Sequence, residues 1–365
     1  MTNMPGLYIH VPFCVRRCPY CDFYSISALE LVPRYVEALA REARAAAPDW
    51  GPFETLYIGG GSPSLLNEKG LKGLFEALAP LDLSEVAEIT LEANPEDVSR
   101  PAARLWAETG VTRLSLGVQS FDDRWLADVL GRGHSARQNY QAAEILKAEP
   151  YDLCLDLIYG HPSQDLENWG ADLIKAADLT PEHISAYNLT VEPGTPLARS
   201  IADKLLPPPA SAAMAADMFL ISREALSSRG YYRYEVSNLA RPGHESRHNL
   251  KYWRRLSYLG LGPSAHSFDG KKRWANVSST RQWASALASG AQARAFTEEL
   301  DREAVRLEKV MLGLRLAEGL PESFLAGTPK LDEFVKTGCL TRQDGRIRPT
   351  EKGFLIADRM ALDLA

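Results

Sequence analysis

The run YIHVPFCVRRCPYCDF, Tyr8 to Phe23, decides the reading of this chain. Three cysteines, Cys14, Cys18 and Cys21, stand in C-x3-C-x2-C spacing, with Tyr20 directly before the last. Three thiolates in one short loop can wrap one face of a cubane [4Fe–4S] cluster. Such a cluster ordinarily takes four protein ligands, so three leave one iron open to a small molecule. A zinc knuckle or a reduced thiol cluster is the alternative. Zinc motifs usually pair two C-x2-4-C elements, however, and the remaining cysteines, Cys154 and Cys339, are isolated.

Strand-like runs alternate with helical stretches outward from that loop. The strands read as Leu7–Val11, Thr55–Ile58, Glu88–Glu92, Arg113–Val118, Leu153–Ile158 and His183–Leu189. Helical patterns lie between them at Leu29–Ala47, Leu71–Ala79, Ala102–Thr109, Ala136–Lys147 and Asn168–Ala177. Such alternation predicts βα units around a parallel sheet, an α/β fold. Six units suggest an open six-stranded (β/α)6 partial barrel, whose chemistry sits at the C-terminal strand ends. Polar and glycine residues gather at those ends: the cysteine loop, Gly59-Gly60-Gly61 before Ser62, Glu92 with Asn94, Gln119, Asp156, and Asn188 with Glu192. Buried carboxylates on strands of Leu, Ile and Val require partners, so Glu92 and Asp156 belong to a network or to a site.

The division expected is a core over 1–206, an extension over 207–300 opened by Pro207-Pro208-Pro209, and a small winged-helix-like domain over 301–365. The last reads as helix, helix, hairpin turning at Asp344-Gly345, and helix. Its helix Leu331–Thr337 mixes acidic and basic residues, which favours a docking module over a nucleic-acid reader.

Composition narrows the function classes. The chain has 365 residues and a formal net charge of −6 without a long basic block, which argues against nucleic-acid binding. No apolar run of about eighteen residues predicts a transmembrane segment, and no signal peptide is evident. Five cysteines, three of them bunched, suit a reducing compartment, so a cytoplasmic protein is expected.

The cysteine run resembles the radical S-adenosylmethionine (SAM) superfamily, in the branch shared by oxygen-independent coproporphyrinogen oxidases and their relatives. The resemblance implies a [4Fe–4S] cluster on Cys14, Cys18 and Cys21, with SAM chelating the open iron. It also implies Tyr8 and Tyr20 near SAM, and the backbone of Gly60, Gly61 and Ser62 on its amino group. Ser62 stands where the family usually has Thr. Glu92, Gln119, Asp156 and Arg132 match the family's contacts to the ribose, carboxylate and amine of SAM. The stretch from Gln119 to Arg132 is one residue longer than usual. If SAM is cleaved, an electron donor is implied.

A second run, HNLKYW (His248 to Trp253), resembles the HNxxYW signature of the HemW family, the radical SAM haem chaperones. His248, Tyr252 and Trp253 then become haem candidates, with haem as cargo and an acceptor protein as partner. On spacing alone the run reads equally as an amphipathic segment anchored by Tyr and Trp. His161, His244 and His266 are further ligand candidates. Three functions remain open: haem chaperone, coproporphyrinogen oxidase, and radical SAM methyltransferase. In the oxidases the run resembles C-x3-C-x2-C-x-C, whereas Phe23 stands here at the extra position. They also carry a long segment ahead of the motif, and only thirteen residues precede Cys14 here. Both departures favour the chaperone.

Overall fold

The computed structural model describes residues 3–365. Six parallel strands form its centre: β1 (Gly6–Val11), β2 (Thr55–Gly60), β3 (Glu88–Ala93), β4 (Arg113–Gln119), β5 (Asp152–Tyr159) and β6 (His183–Asn188). They lie side by side in chain order, each in parallel register with the next. Helices Val32–Ala46, Glu68–Ala77, Arg100–Glu108, Ala136–Leu146 and Leu166–Asp178 connect them. Side-chain caps start three of these helices: Asn67 accepts from the Gly70 N–H, Ser99 from Ala102 and Asp165 from Asn168. Each cap satisfies an otherwise unpaired helical N–H and contributes about 1 kcal/mol.

Alternation along the strands separates two faces. Leu7, Ile9 and Val11, then Leu114, Leu116 and Val118, then Leu153, Leu155 and Leu157 are all buried in the main core. Burial of such side chains contributes roughly 2 kcal/mol each. The intervening residues, among them Glu92, Ser115, Asp156 and Ser185, line the concave side instead.

The sheet is wider than six strands. β7 (Tyr232–Arg233) and β8 (Asn238–Ala240) add antiparallel to the β6 edge, while β9 (Tyr258–Leu261) pairs parallel with β1. β10 (His266–Phe268), β11 (Lys272–Asn276) and β12 (Arg294–Glu299) continue antiparallel beyond β9. Among the described residues the twelve strands do not close into a barrel. Residues 207–300 thus supply strands to both edges of one sheet.

The C-terminal part builds a second core from Val310, Leu314, Leu331, Ile347, Met360 and Leu364. Helices Arg302–Gly313 and Leu331–Lys336 precede the hairpin of β14 (Leu340–Gln343) and β15 (Arg346–Pro349), with β13 (Leu320–Pro321) against β15. The first helix stops at Gly313, and Leu320 enters β13. The last helix is broken into Glu351–Phe354 and Ala357–Leu364.

Candidate active site at the strand ends

A cavity of about 700 Å³ opens at the C-terminal ends of the central strands. Tyr20, Cys21, Gly60, Gly61, Ser62, Glu92, Gln119, Arg132 and Asp156 all line it. Tyr8 does not; it sits behind the wall, its ring 6.1 Å from that of Tyr57.

The cysteine loop is pinned at both ends. Cys14 N–H donates to the Ile26 carbonyl and Ile26 N–H to that of Pro12, while Cys21 N–H donates to Cys18. The three thiols are free and half-buried. Ser62 Oγ lies 3.6 Å from Cys14 Sγ and Arg132 Nη1 lies 3.5 Å from Cys18 Sγ. Burial raises the thiol pKa values of Cys14 and Cys21. Among the described residues no three His, Cys, Asp or Glu side chains converge on a point that one metal ion could fill. A zinc knuckle requires such convergence. A cubane offers each thiolate its own iron, so three thiols that do not converge fit a cluster, with Cys21 lining the cavity and Cys14 and Cys18 against its lining residues Ser62 and Arg132.

Gly60 at the end of β2 and Gly61 just after it are fixed by crowding. A Cβ on Gly61 would lie 2.6 Å from the Phe13 carbonyl oxygen, and one on Gly60 would lie 2.5 Å from the His10 ring. Gly60 also has φ +108°. Only glycine lets β2 come this close to the cysteine loop.

Glu92 accepts from the Tyr57 hydroxyl at 2.7 Å and from the Gly60 N–H at 3.0 Å. Burial nevertheless raises its pKa to about 7, against the opposing effect of those two hydrogen bonds. Asp156 accepts from Ser115 Oγ at 2.8 Å, and burial raises its pKa as well. Gln119 ends β4 at φ +65°, beside a register shift that turns the strand end.

Arg132 reaches the cluster loop because of a π-helical turn at Trp125–Val129. Leu130 N–H bonds back to Trp125 at 2.8 Å, and this wider turn absorbs one extra residue. The extra length between Gln119 and Arg132 therefore does not displace the guanidinium. Gly131 then passes Pro19 of the loop so closely that a Cβ would lie 2.5 Å from its ring.

The cavity continues past the expected site towards the strand starts. Thr90, Arg113, Ser115, Cys154, His183 and Ser185 line it there. Cys154 is buried as a small core residue would be, yet its sulfur lies 2.9 Å from His183 Nδ1. The signal for this wall was in the sequence: polar residues or glycine alternate at 113, 115, 117 and 119, and Cys154 and Asp156 share a face in the same way.

The HNLKYW run forms a helix, Arg247–Trp253, across the opposite end of the central strands. Glu88 accepts from the N–H groups of Arg247 and His248, and Lys251 pairs with Glu54. Ser246 and Asn249 reach the cavity floor. His248 corrects the expectation of an open ligand. It is 1% exposed, its Nδ1 is 2.8 Å from Thr55 Oγ1, and its Nε2 is 2.9 Å from the Tyr252 hydroxyl. Burial lowers its pKa to about 3. Both nitrogens are engaged, so the side chain as folded presents none to an iron. Tyr252 is committed to the same contact, and Trp253 faces away, into a groove shared with Phe324 and Arg346 of the C-terminal part.

The sequence matches the radical SAM superfamily model over residues 8–173 and the HemN C-terminal domain model over residues 300–356. A protein named heme chaperone HemW from Mycobacterium tuberculosis is 37% identical, covering 100% of this chain and 96% of its own length. The chain belongs to the HemW family of radical SAM proteins. Proteins of the same name from Bacillus subtilis and Escherichia coli are 34% and 36% identical, covering 98% and 99% of this chain and 98% of their own lengths. Among solved structures, the coproporphyrinogen III oxidase HemN of Escherichia coli superimposes with a TM-score of 0.84 at 23% identity, over 99% of this chain and 90% of that one. That likeness establishes the fold alone. No helix among the described residues is long and apolar enough to cross a membrane.

Proposed function

We propose that this chain is a haem chaperone, which binds haem and passes it to an acceptor protein. The observation that carries the reading is identity above 30% along the whole chain to proteins named heme chaperone HemW. Phe23, at the position of the oxidases' extra cysteine, supports it.

In this reading Cys14, Cys18 and Cys21 hold a [4Fe–4S] cluster. SAM occupies the adjoining cavity against Gly60, Gly61, Ser62, Glu92, Gln119, Arg132 and Asp156. When bound, the cluster supplies a low-potential electron and one open iron. The chain's own groups orient and shield. The 2.8 Å bond from Asn94 Nδ2 to Ser62 Oγ fixes the rim beside Cys14. Glu92 offers an acceptor to hydroxyl donors, and the Arg132 guanidinium offsets negative charge at the thiolates.

The test is anaerobic incubation of the reconstituted protein with SAM, a reductant and coproporphyrinogen, the products being followed by mass. The chaperone reading expects no decarboxylation, alongside saturable haem uptake. Steady loss of carbon dioxide from the propionates would establish the oxidase instead.

A further inference from the structure

His248 is closed, so the iron of a bound haem needs another ligand. The chain has seven histidines, and their surroundings sort them. His10 engages Tyr8 and the Tyr24 carbonyl, His134 engages Glu96 and the Val118 carbonyl, and His183 engages Cys154 and Tyr234. His161 is fully buried against the Ile158 carbonyl. Two histidines reach solvent. His244 binds Asp152 through Nδ1 at 2.9 Å and lies between Arg241 and Glu245 in the chain, with no aromatic ring paired to it among the described residues. His266 is exposed and neither ring nitrogen makes a hydrogen bond among the described residues.

Beside His266 the sheet exposes one large apolar ring, Phe296. His266 on β10 is in register with Ala275 on β11, which is in register with Phe296 on β12. The three side chains therefore share one face of the sheet. The small Ala275 between them lets the two rings approach to 5.8 Å between centroids. Phe296 is 44% exposed, a large apolar ring that no core covers. The same face continues to Phe268, in register with Tyr258, but there it is buried under Arg255 and Arg273, so the exposed part ends at His266 and Phe296. Because β10 runs antiparallel to β9, and β9 parallel to β1, His266 lies at the strand end that carries the cysteine loop.

We propose that His266 is the protein ligand to haem iron, with the porphyrin lying against Phe296 at the outer edge of the sheet, β10–β12. A neutral imidazole with a free nitrogen is a good ligand for haem iron. The apolar ring of Phe296 removes part of the macrocycle from water. A site on the outermost strands leaves one haem face open, where an acceptor can take the cargo. This inference rests on the chaperone reading.

The experiment is titration of ferric haem into the reconstituted full chain, read by the Soret and visible bands. Wild type, His266→Ala, His266→Asn, Phe296→Ala and His244→Ala are compared, each checked for native circular dichroism. Both His266 variants should shift the Soret band and weaken binding at least about tenfold. Added imidazole should restore the wild-type spectrum in His266→Ala, an effect that misfolding cannot mimic. Phe296→Ala should weaken binding while leaving the band positions unchanged, and His244→Ala should match wild type. Wild-type spectrum and affinity in His266→Ala, or a shifted Soret band in His244→Ala alone, would overturn the assignment. A wild-type chain that takes up no haem would instead overturn the chaperone reading.

Discussion

The Arg132 guanidinium stands 3.5 Å from the Cys18 sulfur, across 114 residues of sequence. It also donates to Asn94 at the end of β3. One buried cation thus joins the cysteine loop, the third strand end and the turn after the fourth.

Replacing Arg132 removes a positive charge beside a thiolate, which disfavours adding an electron there. Arg132→Leu should lower the cluster's reduction potential and weaken SAM binding, with the cluster still assembled. Redox titration followed by electron paramagnetic resonance checks this, and an unchanged potential would separate Arg132 from the cluster.

Cluster assembly should follow the cysteine loop alone. Alanine at 14, 18 or 21 should abolish full iron and sulfide loading, whereas Cys154→Ala and Cys339→Ala should load as wild type. Cys339 is buried in the C-terminal part, far along the chain from the cavity lining. Full occupancy in Cys18→Ala would remove the assignment.

His248→Ala should act on stability. Removing the ring leaves the Thr55 and Tyr252 hydroxyls without their partner and opens a cavity under β2. The expected loss is about 2–4 kcal/mol, seen as a lower denaturation midpoint. The haem spectrum of the remaining folded protein should not move.

Glu42 makes stability depend on pH. Burial raises its pKa to about 7, although the Gly262 N–H, Asn276 and Trp283 all donate to it. Between the unfolded carboxylate value and about pH 7 the folded chain holds the extra proton, so this group's contribution falls as pH rises through that window. Its slope is at most about 1.4 kcal/mol per pH unit. Glu42→Gln should therefore lose less stability than wild type between pH 5 and pH 8 in urea unfolding. Equal losses would mean that Glu42 ionises normally.

Much of this was legible in the sequence, because local patterns carry it. The six central strands, their helices and the cysteine loop follow from alternation and spacing, and most residues expected at the strand ends line one cavity, with Tyr8, Gly59, Cys14 and Cys18 outside its lining. The misses are non-local. Nothing around residue 238 or 258 announces pairing with β6 or β1, since register is set by distant partners. Cys154 reads as a small hydrophobe because its partner His183 lies one βα unit away. His248 reads as an available ligand because Thr55, which engages its Nδ1, belongs to a distant strand, and the Tyr252 hydroxyl on its Nε2 shows only once the helix is formed. The extra residue before Arg132 is absorbed by a π turn that no propensity marks.

The most direct test is the haem stoichiometry of the cluster-loaded chain, measured by absorption titration with parallel iron and sulfide analysis. Saturation at one haem per chain with the cluster intact is the expected result. No saturable uptake by fully cluster-loaded protein would contradict it.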